Sequence, residues 1–148
     1  MEGVLRETFR HFPVVLLTGP KQVGKSTLAK TLVPGATYRT LDDRATLDAA
    51  LTDPDGLLAT CGRPLVLDEV QRAPDLLRAV KLSVDRDRKA GSYLLTGSAD
   101  VLTLRRVSET LAGRVAVHEL HPLTLSEISG LPASRALSDL FEAKDARE

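Results

Sequence analysis

The chain has 148 residues, 43% apolar and 27% charged, with twenty basic side chains against twenty acidic ones and a net charge of +0. This composition excludes disorder as the main state and a strongly basic nucleic-acid footprint, and the length gives one domain, or one domain with a tail. The single cysteine, Cys61, excludes an internal disulfide, and no apolar run approaches the roughly 20 residues that span a bilayer.

The first segment carries Glu2, Arg6, Glu7 and Arg10 among its apolar residues, so it lacks the uninterrupted run of a secretory leader, and the expectation is a soluble cytoplasmic protein. Leu5, Phe9 and Phe12 recur at helical spacing, which predicts a short amphipathic helix over 3–11, ended by Pro13. Val14-Val15-Leu16-Leu17 has the continuous apolar character of a strand buried on both faces of a parallel sheet. Leu28, Ala29, Leu32 and Val33 mark a helix that Pro34-Gly35 stops. Residues 36–42 read as a second strand, Asp42 or Asp43 as the N-cap of the next helix, and 53–56 as a turn or the start of another short helix. Leu65-Val66-Leu67 is a further buried strand. Residues 74–89, with Leu76, Val80 and Val84 in one row and Leu77 beside it, predict the longest helix of the chain. Tyr93 to Thr96 forms the next strand, closed by Gly97, and Val101, Leu104, Val107 and Leu111 the next helical stripe. Arg114 to Leu120 alternates as a fifth strand with Val115, Val117 and Leu120 as its apolar positions, and a short helix is expected within 124–129. After Pro132 the chain turns polar, so the core is placed at 1–130 and a polar tail at 131–148. Strands alternating with helices give an α/β fold with a mostly parallel sheet and right-handed crossovers.

Residues 19–26, Gly19-Pro20-Lys21-Gln22-Val23-Gly24-Lys25-Ser26, match G-x-x-x-x-G-K-[ST] in full. A chance glycine-rich turn would not need the apolar strand before it and the amphipathic helix after it. Glycines let successive N–H groups turn inward on phosphate oxygens, and the helix entered at Lys25 adds the positive end of its dipole. Lys25 would reach the β- and γ-phosphates, Ser26 would ligate Mg²⁺, and Thr27 would lie by the α-phosphate. The third strand ends in Asp68-Glu69, at the rim where parallel sheets bind ligands. Asp68 suits a direct or water-mediated Mg²⁺ role; Glu69 suits the base that polarises an attacking water.

The fourth strand ends in Thr96-Gly97-Ser98, whose hydroxyls could hold that water or sense the γ-phosphate. Ser98 is the first choice and Thr96 the second, against a plain helix cap by Ser98 or Asp100. Arg114 could stabilise transition-state charge, in cis or from a neighbouring subunit, against the alternative of a surface ion pair. Gln71 could touch nucleotide or a helix end. Asp85 to Arg88 reads as an exposed mixed-sign run, and His11, His118 and His121 have no metal-ligand spacing with Cys61.

In order from about residue 12 to residue 130, the segments GPKQVGKSTL, TLDD, LVLDEVQRAPDLL, YLLTGSADVL and LAGRVAVHELHPLTLSEI resemble AAA+-type P-loop ATPases of bacteria and archaea related to the archaeal ATPase group. The resemblance implies a P-loop NTPase three-layer sandwich with a five-stranded sheet ordered 5-1-4-3-2. It makes Gly19 to Thr27 the Walker A loop, Asp68 and Glu69 the Walker B pair, Ser98 the sensor, and Arg114 an arginine near the phosphates. The implied cofactors are ATP and Mg²⁺, and the implied activity is Mg²⁺-dependent ATP binding and hydrolysis. Members usually continue through a small helical or winged-helix region and a C-terminal domain absent from this sequence, through which a partner protein or a further copy would be engaged. Nucleic acid gains no support from these residues. A nucleotide-binding regulatory module with little turnover is the alternative. A small P-loop kinase fits less well, for want of an arginine-bearing lid insertion between the third and fourth strands.

Overall fold

The computed structural model describes residues 1–99 and 101–130. In chain order they form α1 (Glu2–His11), β1 (Val14–Thr18), α2 (Lys25–Leu32), β2 (Thr37–Thr40), α3 (Arg44–Thr52), α4 (Pro54–Thr60), β3 (Leu65–Asp68), a 3₁₀ turn (Val70–Arg72), α5 (Leu76–Arg86), β4 (Tyr93–Thr96), α6 (Val101–Thr110), β5 (Val115–Glu119) and α7 (Leu125–Ile128). The five strands make one sheet in the order β2-β3-β4-β1-β5, every pair parallel, which is the expected 5-1-4-3-2 arrangement read from the other edge.

The two-sided burial that the apolar runs demand is met by helices on both faces. Side chains alternate across a strand. Val14, Leu16, Leu65, Leu67, Tyr93 and Leu95 therefore face Leu76, Leu77, Val80 and Val84 of α5, together with Ala50, Leu58, Val107 and Leu111. Val15, Leu17, Val66 and Leu94 face Leu5 of α1 and Ala29 and Leu32 of α2. Every residue of β1, β3 and β4 is buried. The outcome is three layers, with β1, β3 and β4 at the centre of the middle one.

The register fixes where the strands end. Leu17 lies beside Thr96, Leu67 beside Leu95, Thr18 beside Glu119 and Thr40 beside Asp68. The carboxyl ends of all five strands thus share one rim. Asp43, not Asp42, caps α3: its side chain accepts the Thr46 N–H at 2.9 Å and the Thr46 hydroxyl at 2.8 Å.

Two details differ from the expectations, and between them one open alternative, the short helix after Asp53, is resolved. α5 begins at Leu76 and ends at Arg86, because the 3₁₀ turn and Pro74 occupy the segment before it; it is still the longest helix among the described residues. Residues 54–60 form a full helix, started by Pro54 at its first position and by the Asp53 side chain on the Gly56 N–H. In β5, Val117 is 43% exposed while His118 turns inward to the Thr8 hydroxyl at 3.0 Å. β5 is an edge strand, so alternation there does not require burial on both faces. The polar tail over 131–148 and the alternative cap Asp100 lie outside the described residues.

Two stability measurements check this account. Leu16→Ala, at a fully buried position of the central strand, is expected to lose about 2–5 kcal/mol in urea unfolding. The Thr46 N–H, and then the Thr46 hydroxyl, hold the Asp43 carboxyl below its ordinary value. A group lowered in the folded state contributes stability above its unfolded pKa. The deficit of Asp43→Ala should therefore be full above about pH 4 and close as pH falls through the lowered value, read from urea midpoints against pH.

Candidate functional site

The loop between β1 and α2 leaves the sheet at Gly19 and enters the helix at Gly24. Gly19 has φ 149°, and a Cβ there would collide with the Leu120 carbonyl oxygen. Gly24 has φ 94°, in the left-handed region that glycine enters without strain, and is the N-cap of α2. No side chain among the described residues caps that N-terminus, so the first N–H groups of α2 remain available to a ligand.

Lys25 follows Gly24 and is only 5% exposed. Its ammonium donates to the carbonyl oxygens of Pro20 at 2.8 Å and Gly19 at 3.1 Å. No carboxylate among the described residues lies within ion-pair distance of it. A buried cation held only by neutral carbonyls leaves an uncompensated charge, which an anion would satisfy. A cavity of about 480 Å³ opens over this residue, bounded by the loop from Lys21 to Thr27 and by Asp42 and Glu69.

Asp68 ends β3 and is 3% exposed. Its Oδ1 accepts the Ser26 hydroxyl at 3.0 Å and the Thr96 hydroxyl; its Oδ2 accepts the Tyr38 hydroxyl at 2.5 Å. Burial, followed by the hydrogen bond and charge of Asp68, raises the Tyr38 phenol above its ordinary value, so the phenol stays protonated and donates. Glu69 takes φ 63°, uncommon for a residue with a side chain. Its N–H donates to Thr96 Oγ1 at 3.1 Å, and its carboxylate accepts Gln71 Nε2. Gln71 Oε1 in turn accepts the Ser98 N–H at 3.4 Å. The end of β4 is laced to the loop by the Gly97 N–H on Leu17 O and the Ala99 N–H on Gly19 O.

The structure therefore brings Gly19, Pro20, Lys21, Gln22, Val23, Gly24, Lys25, Ser26, Thr27, Asp68, Glu69 and Ser98 to one rim. It does not bring Arg114 there. Arg114 precedes β5, whose first residue pairs with Val14, so it sits a strand length, about 15 Å, from the loop. Its Nε donates to Asp85 Oδ1 at 2.5 Å and its Nη1 to Ala112 O at 2.8 Å. Within the chain, Arg114 is an ion-pair residue at the end of the sheet away from the loop. A larger cavity of about 650 Å³ lies at that same far end, where Arg63 is already paired with Asp87 and Ser83.

Sequence reasoning missed one residue of the site, Tyr38, and half-read two others, Gln71 and Thr96. Tyr38 pairs in register with Val66, two residues before Asp68 and on the same sheet face, a relation that only the strand register supplies. Gln71 reaches Glu69 by way of the 3₁₀ turn. Thr96 holds Asp68 and Glu69 in place rather than facing outward.

The family model described as an AAA domain matches residues 11–129. The chain belongs to the AAA domain family. Two curated relatives, the uncharacterized proteins Mb2031c of Mycobacterium bovis and Rv2008c of Mycobacterium tuberculosis, are each 39% identical over 132 residues, 88% of this AAA domain chain. The chain spans 30% of the length of each. Among solved structures, the Walker-type ATPase PABY2304 of Pyrococcus abyssi matches 91% of this chain and 59% of its own, with a TM-score of 0.55 at 14% identity, which is a likeness of fold. Family and fold together make this an AAA domain with a five-stranded parallel sheet in the strand order of P-loop NTPases. Among the described residues no helix is long and apolar enough to cross a membrane.

Arg114→Ala tests this placement. It should leave nucleotide affinity at the wild-type value in a binding titration while lowering the thermal midpoint near neutral pH, where the Asp85 partner is charged.

Proposed function

We propose that this AAA domain is the core of a Mg²⁺-dependent ATPase that binds ATP on the 19–27 loop and hydrolyses it at the rim of the sheet. The observation that carries the reading is the buried Lys25 ammonium, held by two carbonyls and free of any carboxylate among the described residues. Phosphate oxygens supply the missing charge, and the N–H groups at the start of α2 supply further donors.

The residues fit a magnesium ion, which prefers oxygen ligands and keeps several of its waters. Ser26 Oγ would be a direct ligand. Asp68 has about four lone-pair sites, and three accept hydroxyls from Ser26, Thr96 and Tyr38, which leaves room for a metal-bound water and favours the indirect role. When bound, Mg²⁺ would neutralise charge on the β- and γ-phosphates. Lys25 would hold those phosphates, Thr27 would stand by the α-phosphate, and Ser98 would face the γ-phosphate from the end of β4. Glu69 would orient the attacking water and accept its proton. Adenine is the expected base, since no NKxD segment occurs in the sequence. The core is assigned to 1–130, in the cytoplasm, with contacts to a partner protein or a further copy made through regions beyond it.

A second reading, binding with little turnover, draws on one observation: the Glu69 carboxylate is already engaged by Gln71.

Binding and steady-state hydrolysis of Mg·ATP by the wild type, Lys25→Ala and Glu69→Gln test the proposal. Lys25→Ala should weaken binding by roughly a hundredfold, matching about 3 kcal/mol of charge-assisted hydrogen bonding. Glu69→Gln should bind normally and turn over roughly 10²–10⁴ times more slowly. Wild-type binding without turnover above Glu69→Gln would favour the second reading, and binding unaffected by Lys25→Ala would overturn the first.

A further inference from the structure

We infer that Tyr38 is a positioning residue that fixes the Asp68 carboxylate for magnesium, an inference that rests on the nucleotide reading above. Tyr38 lies on the edge strand β2, on the face shared by Val66 and Asp68, and its hydroxyl donates to Asp68 Oδ2 at 2.5 Å. The other oxygen, Oδ1, is held by Ser26 of α2 and Thr96 of β4. The terminal torsion of an aspartate is soft and nearly two-fold. Two donors on one oxygen do not decide where the remaining lone pair points, whereas a third donor on the opposite oxygen does. With Asp68 only 3% exposed, Oδ2 has little water with which to replace that donor. The carboxylate would turn, or stay partly unpaired at a cost.

Tyr38 is itself held from above. The ammonium of Lys30 lies 4.6 Å from its ring centroid, and Lys30 belongs to α2, the helix whose first turn carries Lys25 and Ser26. The ring thus bridges the helix that receives phosphate and the strand end that receives the metal. Removal of the hydroxyl alone keeps the ring, its contact with Lys30 and the edge strand, and deletes only the restraint on Oδ2.

The test is a magnesium titration of a fluorescent ATP analogue on wild type and Tyr38→Phe, with the affinity in EDTA as the metal-free baseline. Tyr38→Phe should bind in EDTA within about twofold of wild type but need roughly 10–100-fold more Mg²⁺ for half of the metal-dependent gain, the usual effect of losing a partner of a metal-linked carboxylate. In an Asp68→Asn background Tyr38→Phe should produce no further shift, because it acts through that carboxylate. An unshifted magnesium midpoint overturns the inference alone, as does an equal loss of affinity with and without metal, which would mark a general packing role. A wild-type chain that binds the analogue in neither condition overturns the nucleotide reading, and the inference with it.

Discussion

The carboxylate of Asp68 is the constraint around which the rim is arranged. An ionised carboxylate out of water is costly unless its lone pairs are filled. Three hydroxyls take most of them, from α2, β2 and β4, which adjoin β3 from above and from either side. This requires β3 to lie between β2 and β4 and the first turn of α2 to sit over its end. The parallel register that brings the strands to a common rim meets all three requirements at once. The same interactions reach Glu69, whose N–H shares the Thr96 hydroxyl with Asp68.

Lys25 is the opposite charge on that rim, and the two do not meet. Its ammonium rests on carbonyls, while Asp68 rests on hydroxyls. Charges of opposite sign buried close together would normally pair, since pairing recovers part of their lost solvation. Kept apart, each needs a complement of its own. A polyanion carrying a divalent cation, as proposed above, would present both, phosphate oxygens toward Lys25 and a hydrated metal toward Asp68. The separation is built by Gly19 and Gly24, which let the loop turn back so that its own carbonyls, not a carboxylate, receive the ammonium.

What could be read from the sequence follows from how local each signal is. Val14 to Leu17, Leu65 to Leu67 and Tyr93 to Leu95 are apolar at every position because both faces are covered, so their runs announce themselves without knowledge of neighbours. The loop from Gly19 to Ser26 is contiguous and could be placed whole. Tyr38 and Gln71 matter through partners 30 and 2 residues away, reached by strand register and by a 3₁₀ turn that no periodicity marks. Arg114 shows the same limit in reverse: its segment suggested a place near the loop, while the direction of β5 put it at the other end of the sheet within the chain. Val117 has the apolar character of a buried position but belongs to an edge. Residue type is local, and placement across the sheet is not.

The position of β1 has a consequence for how the chain assembles. Of the five strands among the described residues it comes first in sequence, yet its neighbours are the last two of them, with partners about 80 and about 100 residues downstream. Leu120 N–H closes on Thr18 O at 2.7 Å, and its carbonyl packs against Gly19, so the base of the loop is completed by a residue a hundred positions later. Contacts so distant in sequence form slowly, because loop closure precedes the stabilisation they bring. On a ribosome, β1 waits with both hydrogen-bonding edges unpaired until β4 and then β5 emerge. The loop from Gly19 to Ser26 thus takes its final shape only once a segment a hundred residues downstream is in place.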